Sequence, residues 1–416
     1  MVLAAISTMV RLGARAQSYD TNNVVVQTIA GSGFSGLVNG QGVQTMFNGP
    51  TAIVADSSSN LYVFDYYNDC IREIAPSGAV STFAGGGQGG YTGYGTNVTF
   101  PVSAAESMTI DHSNTIYFVE YPTGTTLFRI AANGFVSTVP LAGLAGGAVQ
   151  DGICVDSGNN VYIADNNGNK IYRFLTNGVL QTFAGSGNAG YADGNGIFCS
   201  FDNPSALTAD SADNIYVWDS GTHLVRRIDQ SENVVTIAGN QGYSTADGLG
   251  TNACFYNVSS MCSDGVGNIY LASFALGGGS SIRKISATTN VTTLAGSFTQ
   301  HGFADGSGPK ALFGFGGNGV CFSQGTIYVA DCVNERIRQI SFNPSPQIVT
   351  GANLAIGIFP GVTITGIVGR TYQIQSSPDM AIWATVSTVL LNSSPYLWID
   401  QNQTTRTRYY RAILLP

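Results

Sequence analysis

Three short motifs recur in the same order along most of the chain, and this repetition constrains the fold more than any other feature. An aromatic-led motif occurs six times, at residues 62–65, 117–120, 162–165, 216–219, 270–273 and 328–331. An Arg-containing motif follows each copy and starts at residues 71, 127, 171, 225, 282 and 337, so consecutive copies lie 44 to 57 residues apart. The remaining motif ends in Ala-Gly and occurs at residues 26–31, 80–85, 180–185, 234–239 and 291–296, with a degenerate copy at 136–140.

Each repeat predicts four short β-strands joined by turns. One strand precedes a position occupied by Asp56 in the first repeat, and the three motifs supply the other strands. The chain contains 53 glycines and only 10% charged residues, a composition that favours short strands over long surface helices. Four strands per repeat without helical periodicity are typical of one blade of a β-propeller.

The order of the motifs also predicts how the ring closes. The first Ala-Gly motif precedes every other blade element, and no Ala-Gly motif follows Ile340. The strand around Val24 to Ile29 should therefore complete the sixth blade by pairing with the strand around Arg336 to Ile340. We predict an all-β chain with a six-bladed propeller.

Four segments are predicted along the chain. Residues 1–16 contain a short apolar run and an Ala-x-Ala site, which indicates a signal peptide. The propeller occupies residues 17–343, a Pro-Ser-Pro linker occupies 344–346, and residues 347–416 alternate as about six strands of a small β-sandwich. We therefore expect a secreted protein, extracellular or at the cell surface.

The repeat resembles a known family. Asn203-Pro204, Asp210, residues 214–219 and residues 225–228 are similar to the NHL repeat, in which each repeat supplies one blade. NHL propellers include protein-binding, RNA-binding and enzymatic domains, so this resemblance implies a fold and no single function. The third repeat departs most, because it is about ten residues short and lacks the loop that follows the Ala-Gly motif elsewhere.

The C-terminal segment resembles the fibronectin-like C-terminal modules of secreted bacterial proteins. The residues that carry this resemblance are 369–374, Trp383 and 408–411.

Charge excludes some partners. The net charge is −8 and only three lysines occur, so the chain lacks the basic stripe that nucleic acids or anionic lipids require. The sequence also has no apolar stretch long enough for a transmembrane segment. A surface with few charges repels copies of itself weakly, which favours a homo-oligomer or filament.

Acidic residues at the ends of aromatic-led strands predict buried ion pairs. An arginine follows three of these acids at a fixed offset of seven residues, which fits a contact across a hairpin. The predicted structural pairs are Asp65–Arg72, Asp219–Arg226 and Asp331–Arg338.

Loops after the Ala-Gly motif combine aromatic and acidic residues. The candidate ligand-binding residues are Tyr91, Tyr94, Tyr191, Asp193, Tyr243, Asp247, Phe303 and Asp305. Because each loop leaves an outer strand and returns to an inner one, we expect all of them on one face, where the rings would stack on a protein or surface polysaccharide. The alternative is that Asp-Gly forms turns and the rings pack on the neighbouring blade.

No residue is assigned a catalytic or metal-binding role. The three histidines, His112, His223 and His301, occupy different places in their repeats, and no Gly-x-Ser-x-Gly motif occurs. Cys154, Cys262 and Cys321 share one inner-strand position and are expected to be buried.

The sequence thus favours a secreted, non-catalytic binding or structural protein without a cofactor. A metal-dependent propeller hydrolase or lyase, of lactonase or amidating-lyase type and with Ca²⁺ as one metal, is the alternative.

Overall fold

The structure, a computed structural model, contains two compact units, Met1–Ser345 and Pro346–Pro416. It describes residues 24–101, 107–120, 125–141, 144, 152–342, 361–364, 367, 369–377, 381, 383–391, 396–399 and 409–415. The predicted signal peptide (1–16) and linker (344–346) lie outside the described residues. No helix in these ranges is long and apolar enough to span a membrane.

The larger unit consists of antiparallel strands joined by turns and single 3₁₀ turns. The strands are β1 Val24–Ala30, β2 Gly40–Gln41, β3 Pro50–Ala55, β4 Leu61–Asp65, β5 Cys70–Ile74, β6 Ala79–Gly85, β7 Gly93–Tyr94, β8 Thr109–Ile110, β9 Ile116–Val119, β10 Thr126–Ile130, β11 Phe135–Pro140, β12 Ile153–Val155, β13 Val161–Asp165, β14 Lys170–Phe174, β15 Leu180–Ala184, β16 Gly194–Asn195, β17 Pro204–Ala209, β18 Ile215–Asp219, β19 Leu224–Ile228, β20 Asn233–Ala238, β21 Gly248–Leu249, β22 Asn257–Ser263, β23 Ile269–Phe274, β24 Ser280–Ile285, β25 Asn290–Gly296, β26 Gly306–Ser307, β27 Gly319–Ser323, β28 Thr326–Asp331 and β29 Arg336–Phe342. The 3₁₀ turns are Gly42–Gln44, Tyr66–Asn68, Gly95–Asn97, Gly196–Phe198, Gly250–Asn252, Gly308–Lys310 and Cys332–Asn334.

These strands form six blades, as the repeats predict. From the channel outwards, blade 1 is β3-β4-β5-β6, blade 2 is β8-β9-β10-β11, blade 3 is β12-β13-β14-β15, blade 4 is β17-β18-β19-β20, blade 5 is β22-β23-β24-β25 and blade 6 is β27-β28-β29-β1. We call the end of the ring where the inner strands begin the upper face, and the end where they finish the lower face.

The predicted closure of the ring is confirmed. β1 pairs with β29 from Val24 opposite Phe342 to Thr28 opposite Arg338, and β29 pairs in turn with β28. The first strand of the chain therefore becomes the outer strand of the last blade, which joins the two ends of the propeller.

Local contacts explain why particular residues recur in the repeats. The Asp111 carboxylate accepts hydrogen bonds from the backbone N–H groups of Ser113 and Thr115 and from the Tyr117 hydroxyl at 2.9 Å, which holds the turn between inner and second strands. The glycine of the Ala-Gly motif, Gly239 in blade 4, has a φ of 96°, and a Cβ there would collide with the carbonyl oxygen of His223.

Neighbouring blades pack through apolar side chains on both sheet faces. Between blades 1 and 2, Phe64, Phe100, Phe118 and Phe128 are all buried, and the Phe118 and Phe128 rings stack with centroids 4.7 Å apart. This two-sided burial explains why the strand motifs are apolar at almost every position.

Five blades carry an additional two-residue strand that the sequence did not predict. β2, β7, β16, β21 and β26 pair with the outer strands β6, β11, β20, β25 and β1. Each short strand comes from the loop that leaves the preceding blade. In the described part of blade 3 the sheet has four strands, which matches its shorter repeat.

The path of these loops corrects the expectation of a single face. Each loop begins and ends at the upper face, but its middle descends along the outer wall of the ring. The Gly42 N–H donates to the Gly78 carbonyl (2.9 Å) in a lower-face turn, and Gly95 does the same with Gly134 (3.0 Å). Each loop covers part of the outer wall, because its two-residue strand becomes the fifth strand of the sheet in the next blade.

The C-terminal unit is a small β-sandwich with two described sheets. β30 Gly361–Ile364 pairs with β33 Tyr396–Ile399, and β31 Thr371–Ser377 lies between β32 Ala384–Leu390 and β34 Tyr409–Leu414. Tyr372, Ile374 and Leu391 form its buried cluster.

Candidate functional site

The three predicted ion pairs are present, and their side chains are fully buried. A guanidinium Nη1 atom lies 2.8 Å from the carboxylate in Arg72–Asp65, 3.3 Å in Arg226–Asp219 and 2.7 Å in Arg338–Asp331. In each hairpin the arginine lies on the third strand and the aspartate ends the second strand.

Each buried arginine also binds the loop from the preceding blade, a role that the sequence analysis missed. Arg72 Nη1 donates to the carbonyl of Met46, Arg72 Nη2 donates to the carbonyl of Val38, and the guanidinium lies 5.0 Å from the Phe47 ring centroid. Arg226, Arg283 and Arg338 repeat this pattern, with Phe201, Phe255 and Phe313 as ring partners. We call these four residues the loop-clamp arginines.

Three predicted ligand-binding acids are bound to these arginines. Asp193, Asp247 and Asp305 accept hydrogen bonds from Arg226 (2.7 Å), Arg283 (2.9 Å) and Arg338 (2.7 Å). Each also accepts bonds from the backbone N–H and the hydroxyl of one threonine on the outer strand, Thr236, Thr293 and Thr28 respectively. We therefore assign these acids to the scaffold.

A nearly constant spacing in the sequence could have revealed these contacts. The acid precedes its arginine by 33 residues in blades 4 and 6 and by 36 in blade 5, and Asn39 precedes Arg72 by 33. The recurring separation matters because it relates a loop to the blade that follows it.

The predicted aromatic residues remain exposed to different degrees. Tyr191 is 59% exposed and makes no aromatic contact within the described residues, whereas Tyr243 is 72% exposed and packs edge-on against His223. Phe303 is 45% exposed, and the Arg336 guanidinium lies 3.9 Å from its ring centroid.

The two aromatic candidates of blade 2 also make packing contacts. Tyr91 packs edge-on against Phe128, and Tyr94 against Phe135 at the start of β11, which places Tyr94 toward the lower face. The packing alternative therefore accounts for contacts of these two rings, and ligand binding by the loop aromatics stays a prediction.

In blades 3 and 5 one member of the buried Asp–Arg pair is replaced. In blade 3, Tyr172 occupies the place of the arginine, and Asp165 is buried with one oxygen bonded to the Gly168 N–H and the other without a partner among the described residues. In blade 5, Ser273 replaces the strand-ending aspartate, so Asp247 supplies the only described carboxylate near Arg283.

Burial changes the acidity of the paired aspartates. Desolvation raises the pKa of Asp219 to about 7, although the Asp202 N–H, the Thr222 hydroxyl and the Arg226 charge all act to lower it. Desolvation likewise raises the pKa of Asp65 and of Asp331. None of these three carboxyls lines either chamber of the central channel described below.

The histidines do not converge. His112 borders the lower part of the channel, His223 is buried beside Trp218 and Tyr243, and His301 contacts the Gly278 carbonyl at 2.6 Å. Within the described residues no three His, Cys, Asp or Glu side chains come together as a metal site would require.

Cys154, Cys262 and Cys321 are buried on the inner strands, as predicted. Desolvation raises the pKa of all three thiols, which is unfavourable for a nucleophile.

A ring of six apolar side chains divides the central channel. Each blade supplies one residue from its inner strand or, for Met108, from the position directly before it. The residue always lies three positions before the turn residue equivalent to Asp56, and all six are buried: Ile53, Met108, Ile153, Leu207, Met261 and Val320. The same six residues border both an upper chamber of about 460 Å³ and a lower chamber of about 510 Å³. The upper chamber is therefore a cup with an apolar floor.

Comparison with known proteins supports the fold alone. No protein-family model matches the chain, and no curated protein matches it. A Bacteroides thetaiotaomicron protein of unknown function is similar at 20% identity over 76% of each chain, with a TM-score of 0.59. An auxiliary nutrient binding protein of the same species matches at 16% identity over 77% of each chain, with a TM-score of 0.58.

Virginiamycin B lyase from Staphylococcus aureus is similar over 77% of this chain and 99% of its own, at 13% identity and with a TM-score of 0.49. The two Bacteroides structures are propeller-type proteins, and this chain shares their architecture. Such distant likeness does not transfer an activity.

Proposed function

We propose that this protein is a secreted, non-catalytic binding protein that presents a rigid propeller to a protein or a surface polysaccharide. The observation that carries this proposal is that acidic and aromatic residues of the outer-wall loops lie in different environments. Their acids are bound to buried arginines, whereas the neighbouring rings of Tyr191 and Tyr243 remain mostly exposed.

The loop-clamp arginines make these loops suitable for binding. Each fully buried guanidinium donates to two loop carbonyls, so the loop is ordered before any partner arrives. Aromatic rings on an ordered loop offer a large contact area with little loss of side-chain entropy.

Export and assembly belong to the same proposal. The N-terminal apolar run favours secretion, and one structural neighbour is an auxiliary nutrient binding protein, which fits an extracellular binding role. The low charged fraction favours contact between copies in a surface layer or filament. We also propose that the propeller belongs to the NHL family and that the C-terminal unit is a fibronectin-like module.

Tyr191→Ala tests the role of the loops. The ring makes no aromatic contact among the described residues, so its removal should leave the fold intact and weaken self-association or binding to a printed glycan array by roughly tenfold. The control is Val266→Ala, which removes an apolar side chain that is 77% exposed from a lower-face turn. Unchanged sedimentation and an unchanged array profile for Tyr191→Ala would contradict the proposal.

The metal-dependent hydrolase or lyase remains the alternative. Metal analysis of the purified protein tests it, because one tightly held Ca²⁺ or Zn²⁺ per chain would favour an enzyme over a binding protein.

A further inference from the structure

We propose that the upper chamber is a binding cup for the end of a neutral oligosaccharide. This inference rests on the proposed binding function and makes it more specific, since it names one cavity and one class of ligand.

The floor closes the cup from below. The apolar ring that includes Ile53, Leu207 and Met261 separates the upper chamber from the lower one, and each of its six side chains is less than a tenth exposed. A ligand that enters from the upper face therefore meets these buried apolar side chains at the bottom of the chamber. The cavity of about 460 Å³ falls within the usual range for small-molecule sites.

The described part of the cup wall is uncharged. None of its described lining residues is Asp, Glu, Lys, Arg or His; the polar ones are Thr51, Tyr66, Tyr67, Ser107, Ser205, Ser220, Asn257, Ser259, Ser260 and Asn318. An ionised ligand would lose water here without meeting an opposite charge, which is unfavourable. The lower chamber differs, because Asp210, Asp213 and His112 border it.

Two polar groups of the wall are available to a ligand. Among the described residues, neither the Ser205 hydroxyl nor the Asn257 amide nitrogen has a hydrogen-bond partner, although both residues line the cup. Other polar groups hold the wall itself: the Ser259 hydroxyl donates to the Asn318 carbonyl at 2.8 Å. A hydroxyl-rich ligand suits this mixture, because each sugar hydroxyl both donates and accepts.

Aromatic rings border the cup on two blades. In blade 1, Tyr66 and Tyr67 meet edge to face with centroids 5.0 Å apart, and Tyr67 is 68% exposed. In blade 5, Phe274 lines the cup and contacts Tyr256 (6.4 Å) and Phe315 (5.3 Å). The apolar C–H face of a sugar ring can pack on such rings while its hydroxyls reach the wall.

The experiment is calorimetric titration of the full chain with four neutral trisaccharides: maltotriose, cellotriose, xylotriose and mannotriose. Trigalacturonate serves as the anionic counterpart. We expect saturable binding of at least one neutral trisaccharide, at least tenfold weaker binding of trigalacturonate, and at least tenfold weaker binding to Tyr67→Ala.

Two controls keep the result interpretable. Val266→Ala removes an exposed side chain from a lower-face turn that does not line the cup, and it should bind the trisaccharide as the wild type does. Phe274→Leu is a second test of the rim and should also weaken binding, with unfolding temperatures checking that each variant folds.

The outcomes separate this inference from the broader proposal. Absence of binding by all four neutral trisaccharides, equal binding of trigalacturonate, or unchanged binding to both Tyr67→Ala and Phe274→Leu would overturn the cup. If Tyr191→Ala alone lost self-association or array binding in the same preparations, the loops would still bind a partner and only the cup would be refuted.

Discussion

Arg226 Nη1 lies 3.3 Å from Asp219 Oδ2 inside blade 4, and neither side chain is exposed to solvent. The same guanidinium donates to the carbonyls of Ala192 and Ser200 in the preceding loop. One arginine thus links the second strand, the third strand and a loop from the neighbouring blade. Several of the few charged residues in this chain are therefore buried, where they connect strands and loops.

Removing this arginine should destabilise the propeller. At pH 8, where Asp219 is ionised, Arg226→Ala leaves its buried carboxylate without a counter-ion and two loop carbonyls without a donor, so we expect a loss of about 3–5 kcal/mol in the free energy of unfolding. Urea unfolding measures it, with the exposed Lys310→Ala as the control. A loss below about 1 kcal/mol would mean that the pair contributes little.

The raised pKa of Asp219 predicts a pH dependence of stability. The folded carboxyl titrates near pH 7, whereas in the unfolded chain the same carboxyl has the ordinary aspartate pKa of 3.8, so between these values only the native state keeps the proton. Stability should therefore be highest below about pH 4 for this group and fall as the pH rises to about 7. The raised pKa values of Asp65 and Asp331 act in the same direction.

Asp219→Asn isolates this contribution. Because the amide does not titrate, the urea midpoint of the variant should change less between pH 5 and pH 7.5 than that of the wild type. Equal slopes for the two proteins would show that Asp219 is already ionised at pH 5.

Comparison of two loop acids tests the assignment of these residues to the scaffold. Asp247→Ala leaves Arg283 without any described carboxylate and should cost about 3–5 kcal/mol. Asp193→Ala leaves Arg226 paired with Asp219 and should cost about 1 kcal/mol. If unfolding experiments gave equal losses, the second carboxylate of blade 4 would not compensate as we infer.

Closure of the ring predicts complementation. A chain that begins at Gly31 lacks β1, exposes the β29 edge and leaves an unfilled space where Val24 and Val26 are fully buried, so we expect it to lose its cooperative thermal transition. A synthetic peptide of residues 24–30 should restore the transition. The control is the same peptide with Val26→Asp, which places a charge in the core. Cooperative unfolding of the chain without any peptide would contradict the expected role of β1.

Much of the architecture follows from local patterns in the sequence. Six copies of the aromatic-led and Arg-containing motifs determine six blades, and the unpaired Ala-Gly motif at residues 26–31 determines which strand closes the ring. The Asp219–Arg226 type of pair was also predictable, because both residues lie on one hairpin and a hairpin converts sequence spacing into distance.

Other features depend on contacts between blades, and only the tertiary structure decided them. The descent of the loops along the outer wall depends on pairing between residues such as Gly40 and Val80, which no local pattern encodes. Asp193, a candidate ligand-binding residue in the sequence, is assigned to the scaffold because its carboxylate accepts a hydrogen bond from Arg226, 33 residues later. The floor of the cup likewise requires six side chains from six repeats to meet at one axis, and that meeting exists only once the ring is closed.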